Sequence, residues 1–229
     1  MTTFALIHGG AHGSWCWELV VPMLEARGHR VVTSDLPFED GAGAREWAAT
    51  VIADLEAAGA DPADVVLVGH SMSGMALPVI ASKLPVRRMV FLGAMVPVPG
   101  RVYAEYLAEE PGAVTFRNEP ADGEVGAAGL TWEAARAGFY QDCDEAVARR
   151  AWERLRPSNV SVFTERCPID TWPDVPSTSI VMTEDAAVGP DWSRRVARER
   201  LGAELIELPG GHSPFYSRPA ELVDVLVGL

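Results

Sequence analysis

The chain has 229 residues, which is about one and a half domains at roughly 150 residues per domain, so one globular domain with a sizeable insertion is expected. Apolar residues make up 48% and charged residues 22%, a globular composition that excludes a disordered chain and needs no disulfide or structural metal to hold a core. A net charge of −13, from 32 acidic against 19 basic residues, repels phosphate backbones and anionic membranes and argues against nucleic-acid partners.

Thr3–His8 reads as a strand entering a glycine-rich turn, and Trp15–Arg27 as a helix with apolar residues at helical spacing. His29–Ser34 is a second strand and Arg45–Ala58 a helix with Trp47, Val51, Ile52 and Leu55 along one stripe. Val65–Gly69 is a wholly apolar strand, as buried parallel strands are. Met72–Leu84 follows as a helix expected to kink at Pro78, and Arg88–Ala94 as the next strand. From about Pro97 to Pro176 the rhythm breaks: no clean strand appears, helical patterns lie near Thr131–Tyr140 and Asp144–Leu155, and aromatic residues are frequent. Alternation resumes with Ser179–Met182, a helix around Asp191–Leu201, Glu204–Leu208 and a closing helix near Pro219–Leu226.

Strands alternating with helices predict βαβ units and a mostly parallel sheet of about six strands flanked by helices. The core is expected to comprise residues 1–96 and 177–229, with 97–176 as a mainly helical cap. Cys16, Cys143 and Cys167 have neither disulfide nor zinc spacing. The N-terminus lacks a basic signal-peptide region and no apolar run reaches membrane-spanning length, so a cytoplasmic protein is expected. Lys83 is the only lysine among many arginines, a bias that suggests a GC-rich bacterial genome.

Chemistry concentrates at Gly69-His70-Ser71-Met72-Ser73-Gly74, where a buried strand turns into a helix. A serine on such a turn stands above the sheet with a helix beneath it, provided its neighbours are small. Ser73 occupies the place of the usual second glycine, and Gly74 comes one position late. A serine needs a base. His212, in Pro209-Gly-Gly-His-Ser-Pro214 after the last strand, is the best placed, because parallel sheets set their sites at the carboxyl ends of strands. The acid should end a strand between Ser71 and His212. Asp185 is preferred, Glu184 is the runner-up and Asp170 a weaker candidate; Asp35 reads as a turn or cap. Backbone N–H groups of Met72, which follows the serine, and of Gly10, in the first glycine turn, are the expected oxyanion donors. That turn lacks both G-x-G-x-x-G and a Walker lysine, so it does not read as a phosphate loop.

These residues, with His8-Gly-Gly-Ala-His-Gly-Ser-Trp-Cys-Trp17, Arg156-Pro-Ser158 and Thr183-Glu-Asp185, resemble the α/β-hydrolase superfamily, and within it the plant methylesterase and hydroxynitrile lyase group, whose members include salicylate-binding methyl-salicylate esterases. The resemblance spans nearly the whole chain and is weakest in the cap. It implies Ser71 as nucleophile, His212 as base, Asp185 as its orienter, and Gly10 with Met72 as oxyanion donors. The lyases resembled here typically carry Glu where His70 stands and Lys where Ser213 stands, so the resemblance favours ester hydrolysis. The expected partner is a small, largely apolar ester, with His12, Trp132, Phe139 and Tyr140 as candidate contacts. No cofactor or metal is expected, and a homodimer is allowed. Lyase, elimination or lactone chemistry on the same triad, or a non-catalytic receptor, are the alternatives.

Overall fold

The computed structural model describes residues 1–117, 123–159 and 161–229. Strands β1 (Thr3–Ile7), β2 (Arg30–Ser34), β3 (Val65–His70), β4 (Arg88–Leu92), β5 (Ser177–Met182) and β6 (Glu204–Leu208) form one sheet in the order β2-β1-β3-β4-β5-β6. Every pairing is parallel. Strands β1, β3 and β5 are buried along their whole length, because helices cover both faces of the sheet. Alternate residues feed two cores: Ala5, Ile7, Leu67 and Phe91 pack on one side, and Phe4, Leu6, Val68 and Leu92 on the other. That is why these strands read as continuous apolar runs rather than as alternating ones.

The first core is closed by α2 (Ala44–Ala57), α3 (Leu77–Ala81) and α8 (Pro190–Glu199), which contribute Trp47, Val51, Leu77 and Trp192. The second is closed by α1 (Val20–Ala26) and α10 (Pro219–Val227), through Val20, Leu24, Leu222 and Leu226. From β1 the chain runs outward to β2 and then crosses back to β3, with Ile7 paired to Gly69. The order of strands therefore reverses between β1 and β3. The two βα loops diverge there and leave a crevice above their carboxyl ends.

Between β4 and β5 lies a mainly helical insertion carrying α4 (Tyr103–Ala108), α5 (Trp132–Gly138), α6 (Glu145–Glu153) and α7 (Ser161–Thr164). Residues 118–122 and 160 of the expected insertion lie outside the described residues. Thr131 and Asp144 cap α5 and α6, accepting from Ala134 N–H at 3.1 Å and Ala146 N–H at 2.9 Å, as short polar residues at helix starts do.

Three local expectations are corrected. The helix expected over Trp15–Arg27 is a 3₁₀ turn at Ser14–Trp17 followed by α1. Asp35 accepts the Ser14 N–H at 2.7 Å and its hydroxyl at 2.9 Å, which holds that turn. The single kinked helix expected over Met72–Leu84 is a 3₁₀ turn at Ser71–Met75 followed by α3. Pro78 sits in the first turn of α3, where a missing N–H costs no intrahelical bond, so it starts the helix instead of bending it. Strand β5 begins at Ser177, two residues before the expected Ser179, because Ser177 pairs with Met89. A further short helix, α9 (Pro214–Ser217), follows the His212 loop.

Candidate active site

Ser71 stands directly after β3 with φ +54°, in the left-handed region. A non-glycine residue pays about 1–2 kcal/mol to stand there, and it persists only when its surroundings over-determine it. Part of that determination is visible: the Ser71 carbonyl accepts the Met95 N–H at 2.9 Å. Ser73, where glycine is usual, is fully buried, and its hydroxyl lies 3.0 Å from the Ile7 carbonyl and 2.9 Å from the His70 carbonyl. The hydroxyl fills the space and joins the ends of β1 and β3. Within this turn Gly74 admits no side chain, because its Cβ would fall 2.1 Å from the Met95 carbonyl oxygen.

His212 lies in the loop between β6 and α9. Its Nδ1 is 2.8 Å from Asp185 Oδ2, and the pair is 1% and 6% exposed. The other oxygen, Asp185 Oδ1, accepts N–H groups from Ala187 at 2.7 Å and Val188 at 2.9 Å. Those bonds fix the carboxylate plane, and the carboxylate in turn selects the His212 tautomer with hydrogen on Nδ1, leaving Nε2 as the basic nitrogen. His70 Nε2–H donates to the His212 carbonyl at 2.9 Å, and the two rings lie 4.5 Å apart. Burial first, and then the neighbouring His212, push His70 well below the ordinary imidazole range. It therefore stays neutral and braces the His212 loop.

Of the acids considered, only Asp185 is brought to His212. Glu184 is exposed and offers its carbonyl to Gln141, while Asp170 is exposed at the end of the insertion. Adjacent residues point to opposite sides of the turn after β5, a distinction that the sequence does not carry. Nothing in the sequence singles out Gly93, the residue just past β4. With φ +48°, its Cβ would fall 2.9 Å from Asp185 Oδ2. Asp185 and His212 pack directly against a bare backbone.

Ser71 and His212 line one cavity of about 220 Å³ beneath the insertion. Gly10 and Met72 line it from the core, and His12 and Phe139 from the two sides. Phe139 covers the His212 ring at 5.7 Å and stacks on Phe116 at 4.6 Å. Val114, Phe116, Ala128, Leu130, Ser158 and Phe163 complete the insertion's share of the described lining. They stand on helix ends and loops with no periodicity to reveal them. No Asp, Glu, Lys or Arg is among the described lining residues.

Two expected contacts are not among that lining. Trp132 lies under the Arg149 guanidinium at 3.9 Å and edge-on to Trp152. Tyr140 is fully buried, and its hydroxyl donates to His12 Nε2 at 2.8 Å. Aromatic content marked the right segment, but the rotation of each side chain decided which ring faces the cavity. His12 Nδ1–H donates in turn to the Gly10 carbonyl at 2.8 Å, and burial lowers the His12 pKa to about 3. Tyr140 and His12 thus act together behind the Gly10 turn.

Among curated proteins the chain is 28% identical over 255 residues to methylesterase 9 of Arabidopsis thaliana, covering 99% of this chain and 97% of the relative. It is 26% identical over 248 residues to an alpha-hydroxynitrile lyase of Arabidopsis thaliana, covering 97% and 95%. A crystal structure of an Arabidopsis methylesterase superposes with a TM-score of 0.78 at 20% identity, covering 100% of this chain and 98% of that one. The family model described as the alpha/beta hydrolase family matches residues 4–225. With this sheet, helical insertion and match, the chain belongs to the alpha/beta hydrolase family.

Proposed function

We propose that the protein is a serine esterase acting on small, uncharged, largely apolar carboxylic esters through an acyl-enzyme. One observation carries the reading: Ser71 on its left-handed turn and the Asp185-bound His212 line the same apolar cavity. In this mechanism Ser71 Oγ attacks the ester carbonyl as His212 Nε2 takes its proton. The oxyanion forms against the N–H groups of Gly10 and Met72, each worth about 2.7–4 kcal/mol to such a transition state. The imidazolium, stabilised by Asp185, then protonates the departing alcohol. Water delivered through His212 attacks the acyl-enzyme, and Ser71 regains its proton as the acid leaves. The carboxylate product gains a charge in a cavity with no Asp, Glu, Lys or Arg among its described lining residues, which favours its release.

Residues 97–176 act as the cap in this reading, covering the acyl portion with Phe116, Leu130 and Phe139 and excluding bulk water. The similarity to a hydroxynitrile lyase makes carbon–carbon cleavage the second reading. The absence of a lysine or arginine among the described lining residues weighs against it, since departing cyanide needs a cation.

The test is a panel of aryl and methyl esters of graded acyl length, run on the wild type and Ser71→Ala, with fluorophosphonate labelling read by intact mass. Hydrolysis with one adduct, both abolished by Ser71→Ala, supports the proposal. Residual turnover should be at least 10³–10⁴-fold lower, order of magnitude. Ester turnover that survives Ser71→Ala defeats it. Mandelonitrile cleavage without ester hydrolysis would support the lyase reading, and ligand-induced thermal stabilisation without any product would mark a receptor.

A further inference from the structure

The glycine turn after β1 is tied from behind, one carbonyl after another. His8 Nδ1–H donates to the Gly9 carbonyl at 2.8 Å and His12 Nδ1–H to the Gly10 carbonyl at 2.8 Å. The next two carbonyls go to a single residue of the insertion. The Arg156 backbone N–H donates to the Ala11 carbonyl at 2.9 Å, and Arg156 Nε–H to the His12 carbonyl at 2.8 Å.

The guanidinium reaches further. Its Nη2 donates to the Leu36 carbonyl at 3.0 Å and to His8 Nε2 at 3.2 Å. Leu36 N–H also donates to His8 Nε2, at 3.0 Å. With Nε2 occupied as an acceptor, the His8 proton resides on Nδ1, where the Gly9 carbonyl needs it. The guanidinium lies over the Phe38 ring at 4.6 Å, which fixes its plane.

In a trans peptide the C=O and N–H point in opposite directions, and no peptide bond among the described residues is cis. Holding the Gly9 carbonyl therefore aims the Gly10 N–H the other way. Gly10 lines the cavity together with Ser71 and Met72. We propose that Arg156 is a positioning residue for the oxyanion donor: it fastens the turn and, together with the Leu36 N–H, holds the His8 tautomer, so that the insertion sets the aim of the Gly10 N–H. The inference rests on the esterase reading. It gives the Arg156-Pro-Ser158 motif a task in the reaction without placing Arg156 against the substrate.

The test compares Arg156→Ala and Arg156→Lys with the wild type. Readouts are ester kinetics and affinity for phenyl trifluoromethyl ketone, which adds a serine to form a tetrahedral oxyanion. Acetophenone, which has the same shape but forms no such adduct, reports ground-state binding. Arg156→Ala should lose about 10²-fold in kcat with KM within about threefold, the scale of losing one oxyanion donor. Trifluoromethyl ketone affinity should fall in parallel while acetophenone affinity holds. Lysine, which cannot reach all these acceptors at once, should recover only part of the loss. Added methylguanidinium should restore turnover to Arg156→Ala at concentrations that leave the wild type unchanged.

Unchanged kcat in Arg156→Ala overturns the proposal. So does equal loss of both ketones, which would mean that the cap has collapsed, or full recovery with lysine, which would mean that charge alone matters. If Arg156→Ala does not fold, Arg156→Lys carries the same comparison of ketones. A wild type that neither hydrolyses esters nor forms the adduct removes the esterase reading itself, an outcome distinct from all of these.

Discussion

Gly93→Ala probes how closely Asp185 and His212 are packed against the sheet. The added methyl would stand 2.9 Å from Asp185 Oδ2 and 3.6 Å from His212 Nδ1. Ordinary carbon–oxygen contact begins near 3.4 Å, so the carboxylate must retreat by about half an ångström. That oxygen is the one that holds His212 Nδ1 at 2.8 Å, while Asp185 Oδ1 is anchored by two backbone N–H groups and resists the move. The imidazole therefore loses its alignment more readily than the carboxylate loses its anchor. A misplacement of about 1 Å costs on the order of 10²-fold in rate, so half of that should cost about 10-fold in kcat. Stability should fall separately by about 1–2 kcal/mol, because alanine at φ +48° occupies the left-handed region. Steady-state kinetics on an ester from the panel, together with urea unfolding, measure both. If Gly93→Ala loses stability but keeps wild-type kcat, the Asp185–His212 contact does not limit the chemistry as argued.

Acid should destabilise the fold through its buried imidazoles. Burial lowers the pKa of His8 to about 4 and that of His12 to about 3, against 6.5 in the open chain. Between those values the unfolded chain binds protons that the native state refuses, so stability is full above about pH 6.5 and declines as pH falls. By pH 4.5 each imidazole has cost about 2.5 kcal/mol, or about 5 together. Urea titrations at pH 7 and 4.5 should show that fall, and equal unfolding free energies would contradict it. Tyr140→Phe removes the donor to His12 Nε2 and strands a buried acceptor, which should cost about 1–3 kcal/mol by urea unfolding. Ser73→Gly restores the usual elbow glycine, yet deletes a buried hydroxyl bonded to the Ile7 and His70 carbonyls. A loss of about 2 kcal/mol would lower Tm by roughly 4–8 °C, and a rise in Tm would show that the serine is tolerated rather than used.

The parts of this protein that local physics governs were legible in its sequence. Strands such as Val65–His70 are buried on both faces, so their apolar runs stand out from the amphipathic helices between them. Strand-to-helix transitions located the Ser71 turn and the His212 loop, because a parallel sheet brings the carboxyl ends of all its strands to one edge. Length and broken rhythm marked the insertion. What the sequence left open depends on contacts between distant segments. Asp185 and Glu184 are chemically alike neighbours, and only the turn after β5 decides that Asp185 meets His212 while Glu184 meets solvent. Trp132 and Tyr140 share a segment with Phe139, yet the packing of α5 and α6 against the core turns Phe139 alone of the three into the cavity. The need for Gly74 arises from Met95 in the loop after β4, and that for Gly93 from Asp185 in the loop after β5. Nor does any local pattern announce that Arg156, more than a hundred residues away, fastens the turn after β1. Periodicity and turn chemistry are properties of neighbouring residues and survive in one dimension. The direction of a side chain, and the partner that it reaches, exist only once the sheet has brought its loops together.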